Sequence, residues 1–375
     1  MKAPTSAPET AQSQRERWSR QLKSVAGQPL RYCPEFPAIA RRWEAWWRFE
    51  SDRPMLVGSI PKRHDLRWDK AFDLLETPQE WLKLRRQQLE ASHWLDATIP
   101  NIRVDLGPVV TGALLGAPLH FSRSENTAWQ DPIIESWDTH RISAPDPQNR
   151  WLRVMLDVAR ATAADAVGNY LVMTPDLSGA IDIVANLRGS ERLLTDLYDA
   201  PEAVKRGAER ALAGWDLAFR EFYDAVLGQG AGLFWWLYLW SDTPYVVPTC
   251  DFNFMIGKEQ FVEFCMPTLV AQARRAGRCA FHLDGPGASK HAETLAAEPS
   301  INAVQYTVGA GAPPAITKLE MFRLLQSAKK PLLITCPWRE IPPLRDALDP
   351  RGVAFVPEGL ASPQEGDALW KRVAG

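Results

Sequence analysis

The chain has too few cysteines, and places them too irregularly, for a disulfide framework or a closed zinc knuckle. Cys33, Cys250, Cys265, Cys279 and Cys336 are odd in number, scattered, and never spaced as CxxC. Surplus charge is also missing. Lys and Arg total 43 against 45 Asp and Glu, a net charge of -2, so there is neither a basic footprint for nucleic acid nor a pull toward a lipid surface. The longest apolar run, 233–240, is far too short to cross a bilayer. Residues 1–15 are polar and lack the apolar centre of a secretory signal. They read as a disordered tail ahead of one domain spanning 16–375. These absences point to a globular cytoplasmic protein whose partner is a small molecule.

Tryptophan is plentiful. There are 16, including Trp46, Trp47, Trp235, Trp236 and Trp240, within a composition that is 46% hydrophobic. Most of these indoles belong to core packing, and a few near strand ends suit a flat, partly apolar ligand.

From Tyr170 onward one unit repeats: a short β-rich run, a turn, and an amphipathic helix. Strands are predicted at 171–174, 233–240, 279–283, 303–308, 332–336 and 353–356. Helices are predicted at 181–187, 201–227, 259–276, 289–296, 318–328 and 341–347. Asp199 and Glu202 have capping-box spacing, and Gly277 stands where a helix should stop. Upstream, 54–60 and 98–104 add two strands, and eight strands alternating with helices predict a (β/α)8 TIM barrel. A doubly wound open sheet is the alternative. Residues 18–47 read as an N-terminal helical extension. Residues 110–169 read as an inserted cap over the barrel mouth, carrying a helix at 151–166.

A catalytic barrel gathers its polar side chains at the carboxyl ends of its strands. Those ends carry Asp176, Trp240 with Ser241 and Asp242, His282 and Asp284, Gln305 and Tyr306, Cys336, and Glu358. The stretch Ala280-Phe281-His282-Leu283-Asp284-Gly285 is the most pointed, because two polar side chains spaced by two share one side of a strand. A buried histidine satisfied by a nearby carboxylate is the plain structural alternative. Asp251, followed by Phe252 and Phe254, reads as a ligand anchor between apolar walls, while Asp182 and Arg188 read as structural. The glycine-rich 309–314 stretch lacks dinucleotide or Walker spacing and reads as a tight turn.

Taken in order, several segments resemble the uroporphyrinogen decarboxylase-like superfamily. They are Arg42-Trp-Glu-Ala-Trp-Trp47, Asp105-Leu-Gly-Pro108, Asp176-Leu-Ser-Gly-Ala-Ile-Asp182, Asp251-Phe-Asn-Phe-Met-Ile256, His282-Leu-Asp-Gly-Pro-Gly287 and Gln305-Tyr-Thr-Val-Gly-Ala-Gly311. The resemblance implies a (β/α)8 barrel with its cleft at the strand carboxyl ends. It also implies one of two chemistries: cofactor-free decarboxylation of a tetrapyrrole-like acid, or methyl transfer linked to a corrinoid. Against the first, Gly58-Ser-Ile-Pro-Lys-Arg63 replaces an arginine-rich entry motif, leaving many carboxylates without paired cations. Against a standard zinc methyltransferase, Asp284 stands where the first cysteine would be. Zinc held by His282, Asp284 and Cys336 is the ligand set this resemblance allows.

The expectation is a methyltransferase acting between a methylated small molecule and a corrinoid or folate-type acceptor, with a corrinoid protein as its partner. His282 and Asp284 would be catalytic, and Asp176, Asp251, Gln305, Tyr306, Trp240 and Glu358 would place substrate. A decarboxylase (lyase) of an aromatic or tetrapyrrole-like acid comes second. A non-catalytic tetrapyrrole- or corrinoid-binding protein comes third.

Overall fold

A computed structural model describes residues 9–285, 287–309 and 311–375. Pro286 of the turn after His282, Ala310 of the 309–314 turn and most of the predicted tail therefore lie outside the described residues. The architecture is mixed α/β, with a central parallel sheet surrounded by helices. Among the described residues thirteen strands follow in chain order: β1 Met55–Leu56, β2 Ser59–Pro61, β3 Ser92–Trp94, β4 Asn101–Arg103, β5 Leu119–Ser122, β6 Thr127–Gln130, β7 Leu171–Met173, β8 Leu233–Phe234, β9 Tyr245–Val246, β10 Arg278–Leu283, β11 Ala303–Thr307, β12 Leu332–Pro337 and β13 Val353–Glu358.

Parallel pairing runs in two arcs, β1-β13-β12-β11-β10-β9 and β4-β7-β8. Among the described residues, strand pairing does not close a ring. It stops between β1 and β4, where Ala97 N donates to Leu56 O (3.1 Å) and Gly58 N to Thr98 Oγ1 (2.8 Å). It stops again between β8 and β9, where Trp235 N donates to the Tyr245 hydroxyl (2.8 Å). The predicted 233–240 strand is thus a two-residue strand followed by an irregular link, and β9 had no sequence expectation. The cause is local: Tyr238 takes a left-handed φ of 63°, which an extended strand cannot contain.

The helix periodicities fare better because each has a broad apolar face. Pro201–Leu227 appears with the predicted bounds, and Gly277 ends Met266–Ala276 with φ 110°. The capping box does not form: Asp199 closes the preceding helix Ser190–Asp199, and Pro201 starts the next with no side-chain cap. The N-terminal helix Ala11–Ala26 includes residues assigned to the tail. It docks through Trp18, whose Nε1 donates to Asp224 Oδ1 (2.7 Å) and whose ring packs on Phe219 and Tyr223. Among the described residues no helix is long and apolar enough to cross a membrane.

Only part of 110–169 lies near the loop after β4. The β5–β6 hairpin meets that loop where Ala128 abuts Gly107. The stretch that follows is tied instead to outer helices, Arg188 Nη1 donating to Ile134 O (3.0 Å) and Trp137 Nε1 to Asp196 Oδ2 (2.8 Å). Arg150–Ala166 is a regular amphipathic helix, as expected near 151–166.

Candidate active site

Register fixes the first group of side chains. His282 on β10 is level with Gln305 on β11, and Thr307 on β11 is level with Thr335 on β12. Because alternate residues share a face, His282, Gln305, Thr307 and Thr335 project to the same side. The Gln305 carboxamide nitrogen donates to Thr307 Oγ1 (2.8 Å) and Thr335 Oγ1 (3.0 Å). Its oxygen accepts from His282 Nδ1. The imidazole proton therefore sits on Nδ1, leaving Nε2 as the basic nitrogen.

Nε2 lies 3.9 Å from Asp284 Oδ2, inside ion-pair range but beyond a direct hydrogen bond. Burial lowers the His282 pKa against the opposing pull of Gln305, Asp284 and Asp182, so the ring is neutral at pH 7. Trp236 and the imidazole make a T-shaped contact, ring centroids 5.1 Å apart.

Carboxyl groups make up the second group. The Asp176-Leu-Ser-Gly179 segment turns sharply: Ser178 N donates to Asp176 Oδ1 (2.8 Å), Ser178 has φ 58°, and its hydroxyl donates to Pro108 O (2.7 Å). Burial raises the Asp176 carboxyl to about 7, with Arg103 opposing and Asp251 and Asp182 adding to the rise. Asp182 accepts from the Thr249 hydroxyl (2.6 Å), Asp251 N (2.9 Å) and Phe252 N (3.0 Å), so it caps the turn Asp251–Met255 that presents Asp251. Desolvation raises Asp182 to about 6, with the Asp251 charge as second cause. Asp251 is reached by solvent yet walled by protein, and desolvation followed by Asp284 raises it to about 6. Glu358 is raised by burial and then by Asp284.

His282, Asp284, Asp176, Asp251, Gln305 and Glu358 thus collect at one end of the sheet. Three expected members do not join them. Tyr306 alternates with Gln305 and packs edge-on against Phe322 of helix Leu319–Ser327, on the helix side of the strand (5.2 Å). Cys336 alternates with Thr335 and is fully buried on that same far side. Trp240 lies at the opposite end, against Phe36 (5.0 Å), with its carbonyl accepting from Trp47 Nε1 (2.8 Å). Its neighbour Asp242 is 3.9 Å from Arg278, which starts β10.

The zinc set of His282, Asp284 and Cys336 therefore does not fit. Among the described residues no three His, Cys, Asp or Glu side chains are grouped to hold a metal ion.

Sequence reasoning missed Arg103 and Trp236. The Arg103 guanidinium lies over the Trp236 ring, 5.6 Å from its centroid. Arg103 ends β4, so the strand-end rule applied elsewhere would have found it. Trp236 could not be oriented while 233–240 was read as one strand.

The raised Asp176 pKa bears on stability. A carboxyl at about 7 when folded and 3.8 when unfolded favours the folded state fully below pH 4, and that contribution is lost as pH rises through 7. Asp176→Asn keeps the acceptor for Ser178 N and removes the charge. The variant is expected to melt higher than wild type at pH 8, with the difference vanishing toward pH 4. Equal melting temperatures at pH 8 would show that Asp176 is not a desolvated carboxyl.

No family model matches the chain. No curated protein matches it either. Among solved structures it is similar to a methyltransferase from Methanosarcina mazei, at 12% identity and a TM-score of 0.61, over 89% of this chain and 97% of that chain. At that identity the likeness speaks for the fold.

Proposed function

We propose that this chain is a methyltransferase built on a uroporphyrinogen decarboxylase-like (β/α)8 barrel, with His282 as its general base. The observation that carries the reading is the His282–Gln305–Thr307/Thr335 arrangement, which holds a neutral imidazole with Nε2 free of any protein hydrogen bond among the described residues. Moving a methyl group onto or off an O–H, N–H or S–H group moves one proton the opposite way. His282 Nε2 takes that proton when the acceptor is methylated and returns it when the methylated compound is the donor. Asp284 stabilises the imidazolium formed in between, and Asp176 and Asp251 orient the substrate. The likeness to a methyltransferase fold supports this choice. The other methyl carrier would be a corrinoid or folate-type molecule, free or brought by a partner protein. No protein-held zinc enters the scheme, so activity is expected to survive dialysis against a chelator. Loss of activity that returns with zinc would overturn that part.

The direct test offers O-, N- and S-methyl compounds with cob(I)alamin as acceptor and follows its absorbance. Transfer by wild type that disappears in His282→Ala supports the proposal. A second reading, cofactor-free decarboxylation, is favoured by one observation: the Asp176 carboxyl, at about 7, lies near Arg103, as an acid substrate would require. Carbon dioxide release from aromatic acids without methyl transfer would select it. Tight corrinoid or porphyrin binding with neither reaction would leave a binding protein.

A further inference from the structure

A cavity of about 190 Å³ has walls that include Arg85, Arg103, Trp68, Trp94, Tyr238 and Asn101, and Arg103 links it through Trp236 to His282. Among the described residues no acidic side chain lines it. Arg85 comes from helix Pro78–Glu90 and is held by neutral acceptors: its Nη1 donates to Gln88 Oε1 (2.7 Å), and longer contacts reach the Asp69 and Lys70 carbonyls (3.5 Å each). Its Nε is buried with no hydrogen-bond partner, and so is that of Arg103. Arg103 Nε lies 3.3 Å from Asp105 Oδ2, close enough for attraction but not aligned for a hydrogen bond.

Charge is unbalanced around this cavity. The buried Asp105 carboxylate is shared between Arg103 and Lys70, whose Nζ is 3.6 Å away, and Arg85 adds its charge to the same neighbourhood. Asp176 also acts on Arg103, but burial keeps it partly protonated near neutral pH. Arg67 and Asp69, farther out, pair with each other (2.6 Å). Buried cations of this kind are costly without an anion, and aromatic walls favour a flat apolar body.

We infer that this cavity is an anion-binding subsite for a one-ring aromatic carboxylate, gripped by Arg85 and Arg103 between Trp68, Trp94 and Tyr238. The volume is below the roughly 300–1,000 Å³ of pockets that take a whole drug-sized ligand, so it suits a single ring or one arm of a larger substrate. Trp236 connects the subsite to the chemistry, with Arg103 over its face and the His282 ring in T-shaped contact with it, centroids 5.1 Å apart. A substrate anchored by its carboxylate would extend along that indole toward His282 Nε2. This names a substrate class for the proposed methyl transfer and rests on that reading only for what happens at the far end.

The test is calorimetric titration of the full-length protein with benzoate, benzamide and cyclohexanecarboxylate, which requires no turnover. Benzoate is expected to bind saturably. Benzamide should bind about tenfold or more weaker, the size of one lost charge-assisted hydrogen bond, and cyclohexanecarboxylate should also be weaker because it cannot stack. Arg103→Gln should weaken benzoate by a similar factor, and should a melt show that this variant is unfolded, the wild-type comparison decides alone. Equal binding of benzamide or cyclohexanecarboxylate, undiminished binding to folded Arg103→Gln, or no saturable benzoate binding would overturn the inference. Benzoate binding without any methyl transfer would uphold the subsite and reject the reaction.

Discussion

Replacing His282 by alanine is expected to lower kcat for methyl transfer by about 10²–10⁴-fold, the usual worth of a positioned general base, and to lower the melting temperature as well, because the buried Gln305 oxygen loses its donor. The pH profile gives the more specific signature. In wild type, kcat/KM should fall as pH drops through the lowered His282 pKa, because protonation of Nε2 removes the base. Gln305→Leu should also reduce kcat, because the buried carboxamide is committed to His282, Thr307 and Thr335 and acts through the imidazole. Without the carboxamide, nothing fixes the proton on Nδ1, and the two threonine hydroxyls lose their donor. Gln305→Glu would separate orientation from packing, since a carboxylate accepting from Nδ1 raises the imidazole pKa and should move the acid limb of the profile to higher pH. A His282→Ala enzyme with full activity would remove the base from the scheme.

The second large effect is on folding. Gly179 sits where a Cβ would come within 2.0 Å of the Thr249 carbonyl oxygen, which belongs to the backbone and cannot swing aside. Gly179 N also donates to Thr249 Oγ1 (3.2 Å), so this contact joins the Asp176 turn to the segment presenting Asp251. Gly179→Ala is expected to cost about 3 kcal/mol or more, at the high end for overpacking in a closed core. Gly116→Ala is the control. Its φ of 103° also disfavours a side chain, but nothing stands within 4 Å, so its loss should stay near 1 kcal/mol. Chemical denaturation of both variants checks the pair. Equal losses would mean that backbone conformation, not the close approach, governs the site.

Much of this was legible from residue pattern. The 3.6-residue periodicity placed Pro201–Leu227, and the β-branched and apolar runs placed β10 to β13, because each of these elements buries a face that its own sequence writes out. Strand ends then located His282, Gln305, Asp176 and Glu358. Where the reading failed, the missing quantity was direction. Gln305 and Tyr306 are neighbours in sequence, yet only one can face the cleft, and the run Ala303–Thr307 is buried on both sides and carries no polar alternation to say which. The same ambiguity covered Thr335 and Cys336. Trp240 failed for another reason: an eight-residue apolar run looks like one strand, and only the turn at Tyr238 sends its far end away from the site. Asp182 was read as structural, and its three accepted hydrogen bonds agree with that role while showing what it supports.

Only three residues separate Trp236, whose indole borders the imidazole, from Trp240, whose carbonyl is clasped by an indole N–H of the second helix, Phe36–Trp47. That short tether makes the anchorage at one pole of the molecule a steering element for the wall at the other. Trp47→Phe, far from any reacting atom, should therefore loosen the aromatic wall and slow turnover, so a remote lesion in this protein is not evidence of a second catalytic centre.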